Sequence, residues 1–173
     1  MRLLLVTFSL AALAACTSVK PPGPAPAPAP APAPGPPTPD QRAALPAQLA
    51  VEQKWLSSWF KGTPVRIRQL DDGALTIEVP REFCFDPGRS TVKPALAAVL
   101  DKTAESLRRL PQAEVALIAA PADESGNAAP LAVQRATQVR EHLRTRGVQT
   151  TRLAKPAVAS TAAVQLRIDA PSL

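Results

Sequence analysis

From residue 43 onward, apolar positions recur first at helical and then at strand spacing. Leu45, Leu49, Leu56 and Phe60 fall near one face of a helix predicted over 43–60. Trp55 and Trp59 flank that face at i, i+4 and read as core anchors rather than a binding patch. Val65 with Ile67, and then the run 74–79, predict two strands joined at the turn signal Asp71-Asp72-Gly73. Phe83-Cys84-Phe85 reads as a short strand ended by Asp86-Pro87-Gly88. Pro94 suits the first turn of a helix, and Leu96, Val99, Leu100, Thr103, Leu107 and Leu110 follow at helical spacing until Pro111 stops it. Residues 114–119 predict a strand with Val115 and Leu117 on one side and Ala116 and Ile118 on the other. After a loop at 120–129, a helix is expected from about Pro130 to Arg146, with Gly147 at C′. Strands near 152–154 and over 163–168 complete the chain. Strands alternating with two main helices predict an α/β or α+β class in which helices cover one sheet face.

The N-terminal third follows a different pattern. Met1-Arg2 precedes an apolar run, Leu3 to Ala14, broken only by Thr7 and Ser9. This is too short for a permanent transmembrane helix and fits the h-region of a signal peptide over residues 1–15. Leu13-Ala14-Ala15-Cys16 closes the run and resembles the lipobox of bacterial lipoproteins, which implies acylation of Cys16. Acyl chains on the N-terminal stretch 16–20 would supply stable anchoring without a membrane-spanning helix, since each buried CH₂ contributes about 0.8 kcal/mol. Thr17 and Ser18, with no Asp beside the cysteine, resemble the pattern that sorts to the outer membrane. The alternative is an ordinary signal peptide cleaved at an A-x-A-like site, leaving Cys16 a free thiol.

Eleven of residues 21–39 are proline. Proline fixes φ and removes the amide donor, so the stretch assigned as a linker, 21–40, is expected as extended polyproline II reaching about 59 Å. Two N-terminal segments removed from 173 residues leave roughly 130 for a folded unit, enough for one hydrophobic core. The folded part divides by pattern into an N-terminal helix and first strand, 41–70, and the remainder, 71–173.

Composition narrows the chemistry. One histidine and two distant cysteines provide neither a multi-His metal centre nor a disulfide or zinc scaffold. His142 reads as an exposed helix residue without a catalytic partner, and Asp71, Asp72 and Asp86 as turn acids. No Gly-rich phosphate loop is present, and no cofactor is implied. Loss of Arg2 with the signal segment lowers the net charge from +6 to +5. The aromatics of the folded part cluster between Trp55 and Phe85, away from any basic stripe, which argues against nucleic acid as a partner. Lys102, Glu105, Arg108 and Arg109 read as a solvated helix face, and Cys84 as a half-buried strand residue with an intermolecular disulfide as its alternative.

One set of motifs goes further. Phe85-Asp86-Pro87-Gly88-Arg89-Ser90, then Lys93-Pro94 and the following helix, then Ala122-Asp123-Glu124-Ser125-Gly126, then Leu131-Ala132-Val133-Gln134-Arg135-Ala136 with Val139, come in the order and spacing that resemble OmpA-like C-terminal domains over residues 74–168. The resemblance implies an α+β two-layer sandwich with a βαβαβ core, a mixed sheet and helices packed on one face. It also implies non-covalent binding of peptidoglycan, with Asp123 and Arg135 gripping the ammonium and carboxylate of the diaminopimelate residue. The chemistry fits: a guanidinium fork matches a carboxylate bidentately, and an anionic Asp accepts from an ammonium. The family's loop Thr is Ala122 here, its helix Ser is Ala132, and its loop Asn falls on Ala128, with Asn127 one place away as the remaining candidate. Together these readings describe a non-enzymatic outer-membrane lipoprotein with its domain in the periplasm, its partners being peptidoglycan, the membrane through acyl chains, and envelope proteins. The alternative is an envelope scaffold that has kept the fold, lost the ligand and serves protein–protein assembly in a secretion or transport complex.

Overall fold

The computed structural model describes residues 38–123 and 128–170. The signal segment, Cys16, the proline tract up to residue 37 and Asn127 lie outside the described residues. The elements in chain order are α1 (Pro39–Trp59), β1 (Arg66–Gln69), β2 (Leu75–Pro80), α2 (Arg81–Cys84), α3 (Pro94–Arg109), β3 (Glu114–Ala120), α4 (Ala128–Thr145), a 3₁₀ turn (Thr150–Arg152), β4 (Pro156–Val158) and β5 (Ala163–Asp169).

The five strands form one sheet in the order β1-β2-β5-β3-β4. β3 and β4 run parallel across the α4 crossover, and the other neighbours are antiparallel, so the sheet is mixed. In β2 and β5, Leu75, Ile77, Val79, Val164, Leu166 and Ile168 are buried while Thr76, Glu78, Gln165 and Arg167 alternate with them half-exposed. That period of two marks a sheet with one face against the core and one toward water. The buried face meets Leu45, Leu49 and Leu56 of α1, Leu96, Leu100 and Leu107 of α3, and Ala136, Val139 and Leu143 of α4 in one hydrophobic cluster. The architecture is the expected α+β sandwich.

Residues 39–70 are integral to this core, since α1 lies in the same cluster and β1 pairs with β2 from Arg66↔Glu78 to Gln69↔Leu75. α1 starts inside the stretch assigned to the linker. Thr38 is its N-cap, with a capping box in which Gln41 N donates to Thr38 Oγ1 (3.3 Å) and Thr38 N donates to Gln41 Oε1 (2.8 Å). Pro39 occupies the first turn, where its missing N–H costs nothing.

Four local expectations are corrected. Residues 83–85 are not a strand: Pro80 ends β2, and the chain turns through the short helix α2, which buries Cys84 and Phe85 and leaves Phe83 exposed. In β3 a bulge between Val115 and Leu117 shifts the register, so Val115 and Ile118 both face the core and simple alternation fails. The strand expected at 152–154 is a 3₁₀ turn and a single bridge from Leu153 to Val115, and the paired strand follows at Pro156–Val158. The helix expected from Pro130 begins at Ala128.

The α1–α3 seam also differs from its reading as solvated charge. Arg109 Nη2 meets the buried carboxylate of Glu52 at 2.6 Å, and its guanidinium lies 3.9 Å from the Trp55 ring centroid. Lys102 Nζ sits 3.9 Å from the ring of Trp59, which is 56% exposed and therefore no core anchor. Long charged side chains cover apolar surface here instead of leaving it.

The hairpin turn at Gly73 packs beneath α1. Gly73 has φ +84°, and a Cβ added there would stand 2.6 Å from Pro46 Cβ. Gly73→Ala is therefore expected to lower stability by about 1–3 kcal/mol. Ile118→Ala, at a fully buried site, should cost about 2–5 kcal/mol. Urea unfolding followed by circular dichroism measures both, and an unchanged midpoint for Gly73→Ala would contradict the close approach.

Candidate functional site

The end of β3, the loop between α2 and α3, and the first half of α4 converge on Arg135. Its neighbours on α4, Ala132, Ala136, Val139 and Leu143, are buried against the core, and this face carries Arg135 inward with them. Arg135 is 0% exposed. Its Nε donates to Arg89 O (2.8 Å), Nη1 to Pro121 O (2.9 Å) and Nη2 to Asp86 O (3.2 Å). Nη1 also lies 2.9 Å from Asp123 Oδ1, and the Phe85 ring centroid is 5.0 Å from Cζ. A guanidinium has five N–H donors, and four are committed to these partners.

The structure thus brings Asp123 and Arg135 together, as an ion pair with one member enclosed. The open guanidinium fork implied by the resemblance is not what the packing produces. The reason is local: three backbone carbonyls of two converging loops, Asp86, Arg89 and Pro121, point at one place, and Arg135 donates to all of them. Asn127, the third expected contact, lies outside the described residues.

Asp123 is the more open partner, with 22% of its side chain exposed. Gly88 N donates to its Oδ2 at 2.7 Å. Gly88 reaches that position with φ +69°, a conformation suited to glycine. The Arg135 hydrogen bond, then the Gly88 amide, hold the Asp123 carboxyl below the usual carboxylate range. Asp123 stands in the wall of an open cavity of about 500 Å³ with Arg81, Glu82, Phe85, Gly88 and Lys93. Arg81 Nη1 donates to Ala122 O (3.0 Å), and Lys93 Nζ donates to Glu82 O (3.0 Å) and lies 3.3 Å from Asp86 Oδ1. The sequence singled out Lys93 only as part of a motif and Arg81 not at all, because only folding brings α2 and the start of α3 to the cavity that Asp123 lines.

The remaining candidates resolve differently. His142 is not simply exposed: its ring nitrogen meets Asp101 Oδ1 at 2.6 Å and ties α4 to α3, with Arg146 on the same carboxylate oxygen at 2.7 Å. Cys84 is fully buried, and burial pushes its thiol up to about 12, which removes it from intermolecular pairing. Asp72 does act as a turn acid, accepting from Ala74 N (3.0 Å) and pairing with Arg167 (2.6 Å). Among the described residues, no three metal-capable side chains gather, and no helix is long and apolar enough to cross a membrane.

No family model and no curated protein matches the chain. Solved structures do. A MotB-like protein from Desulfovibrio vulgaris is 17% identical, covering 77% of this chain and 97% of its own, with a TM-score of 0.56. The cell wall anchor of the T6SS from Pseudomonas aeruginosa is 17% identical over 75% of this chain and 99% of its own, with a TM-score of 0.53. The periplasmic domain of Helicobacter pylori MotB (residues 97–256) is 15% identical over 62% and 85%, also at 0.53. These likenesses establish the fold, the α+β sandwich with a mixed sheet that was expected.

Removing the guanidinium takes a donor from three backbone carbonyls and the cationic partner from the Asp123 carboxylate. Arg135→Met should therefore destabilise the domain by about 3–5 kcal/mol, more than any exposed arginine. Asp123 has a lowered folded pKa, so its contribution is complete above the unfolded carboxylate value and disappears as pH falls through the folded one. The stability difference between wild type and Asp123→Asn should accordingly shrink below about pH 4. Denaturant titrations at several pH values measure this, and a gap that widens with acid would contradict the assigned role.

Proposed function

We propose that this chain is a non-catalytic anchor that grips peptidoglycan through its stem peptide. One observation carries the reading: the Asp123 carboxylate is kept ionised and aimed by Arg135 and Gly88 in the wall of an open cavity whose other walls hold cations. Each carboxylate oxygen retains a lone pair for an incoming ammonium, and a charge-assisted bond of this kind is about twice as strong as a neutral one. Diaminopimelate offers that ammonium with a carboxylate on the same carbon. The shared fold with a cell wall anchor and with MotB periplasmic domains supports the reading.

The N-terminal segments give the anchor its geography. An acylated Cys16 would fix the chain in the outer membrane, and the proline tract would hold the domain away from that surface on the periplasmic side. Tethering of the envelope to the wall then follows from two attachments on one chain.

One observation favours the second reading, a scaffold that has lost its ligand. Arg135 is enclosed, so the grip implied by the resemblance is not intact as an open pair. In that case assembly contacts with envelope proteins would carry the function.

Co-sedimentation with purified sacculi separates the two. Wild type should pellet, and Asp123→Asn, folded by circular dichroism, should pellet several-fold less. Equal sedimentation of wild type, Asp123→Asn and the Asp123→Ala/Arg135→Ala double variant would discard the grip. Failure of the wild type to pellet, with protein crosslinks in cells, would select the scaffold. Cys16→Ser should move the chain from the membrane fraction to the soluble periplasmic fraction, and retention in the membrane would discard the lipid anchor.

A further inference from the structure

We infer that the apolar groove between the end of α1 and α3 receives a proline-rich segment, supplied by the Pro-Ala tract of a second copy of this chain. The groove shares no residue with the cavity that Asp123 lines, and its occupant is a separate matter from the peptidoglycan reading.

Two exposed aromatics mark the groove. Trp59 and Phe83, 56% and 39% exposed, line it together with Val65, Val79 and Val99, and its volume is about 500 Å³. Ala95 and Ala98 of α3 line it as well, and exposed side chains that small let another backbone come close. The Trp59 ring is held in place: Lys102 Nζ lies 3.9 Å from its centroid, and Trp55 meets it edge-on at 6.2 Å. Its indole N–H has no acceptor among the described residues.

A fixed aromatic ring with a spare donor beside an apolar groove discriminates among occupants. A helix spends its carbonyls internally, apart from those of its last turn. An added strand needs a sheet edge, and no residue of the edge strands β1 and β4 lines the groove. A bilayer surface does not fill a concavity. A polyproline II segment makes no internal hydrogen bonds, so its carbonyls can accept from the indole while its rings pack on Trp59 and Phe83. Its backbone is restricted before it binds, which lowers the ordering cost.

This chain carries such a segment. Residues 24–34 are six prolines alternating with five alanines, with no charged or polar side chain. At three residues per turn, every face of the expected helix alternates a proline ring with a methyl group, so no single register is required. α1 has 21 residues and is about 30 Å long, and the tract joins it at Thr38, the end away from Trp59. A stiff tract has to reverse direction to meet its own groove, whereas the tract of a second copy needs no such bend. Acylation at Cys16 would hold copies on one surface and raise their effective concentration.

The test uses the full chain carrying Cys16→Ser, which removes the lipid and any disulfide through that residue. Sedimentation velocity up to about 1 mM should show a reversible dimer. Trp59→Ala, and separately replacement of residues 24–34 by Gly and Ser at equal length, should each weaken the dimer by about tenfold or more, with an unchanged circular dichroism spectrum. Mixed together, these two variants should associate more tightly than either does alone, one lending the intact tract and the other the intact groove. A wild-type chain that stays monomeric overturns the inference. A dimer that both variants keep also overturns it, because the copies then meet elsewhere, and so does a mixture that associates no better than its components. A monomer whose Trp59 is shielded from acrylamide, and exposed once the tract is Gly/Ser, assigns the tract to its own groove and overturns exchange between copies. None of these outcomes bears on sedimentation with sacculi, so the two readings stand or fall apart.

Discussion

The buried guanidinium of Arg135 is the contact on which this end of the molecule depends. It is the meeting point of α4, the loop from Asp86 to Arg89 and the segment from Pro121 to Asp123. No hydrophobic side chain could do this work, because what converges there is a set of carbonyl oxygens, and a carbonyl left dry and unpaired costs about 1–3 kcal/mol. A lysine would offer three donors from one point instead of a planar spread from three nitrogens. The carboxylate of Asp123 neutralises the buried charge and is itself fixed by doing so. Rigidity at the candidate site and stability of the fold thus have the same origin.

Arginine serves in this way elsewhere in the chain. Arg152 donates to Leu107 O, Leu110 O and Ala113 O, closing the C-terminal end of α3 with a positive group where the dipole favours one. Arg140 donates to Ala154 O, and Arg108 to Arg146 O. Arg109 joins α3 to α1 through Glu52, where burial alone would raise the carboxyl and the Arg109 and Ser106 bonds outweigh it. Part of the basic excess is thus engaged by backbone oxygens and carboxylates of the fold, with Arg135 alone buried among the described basic residues. The net positive charge is therefore a poor guide to the surface, and it does not by itself call for an anionic polymer as partner.

The site is organised around α2, a single helical turn forced by Pro80. Arg81 and Glu82 face the cavity shared with Asp123 and Lys93. Phe83 lies on the opposite side with Trp59, while Cys84 packs inward with its thiol against Val79 O and Pro80 O. An extended strand at these positions would have placed alternate residues on two sheet faces and could not have presented Arg81 and Glu82 together.

The residues alone determined the class and the order of the main helices and strands, apart from the segments at 83–85 and 152–154. The helical repeats of α1 and α3, the Asp71-Asp72-Gly73 turn and the alternation in β2 and β5 are local patterns, and local patterns survive in a linear string. The motif order also marked Asp123 and Arg135 as a pair before any contact was known. Folding decided the roles of that pair, because exposure and donor occupancy depend on segments about 14 to 49 residues distant. It likewise decided the bulge in β3, the helical form of residues 81–84, the exposure of Trp59 and the gathering of Arg81 and Lys93 in the cavity that Asp123 lines. Each of these is settled by which partners arrive from elsewhere in the chain, and one-dimensional spacing carries no record of them.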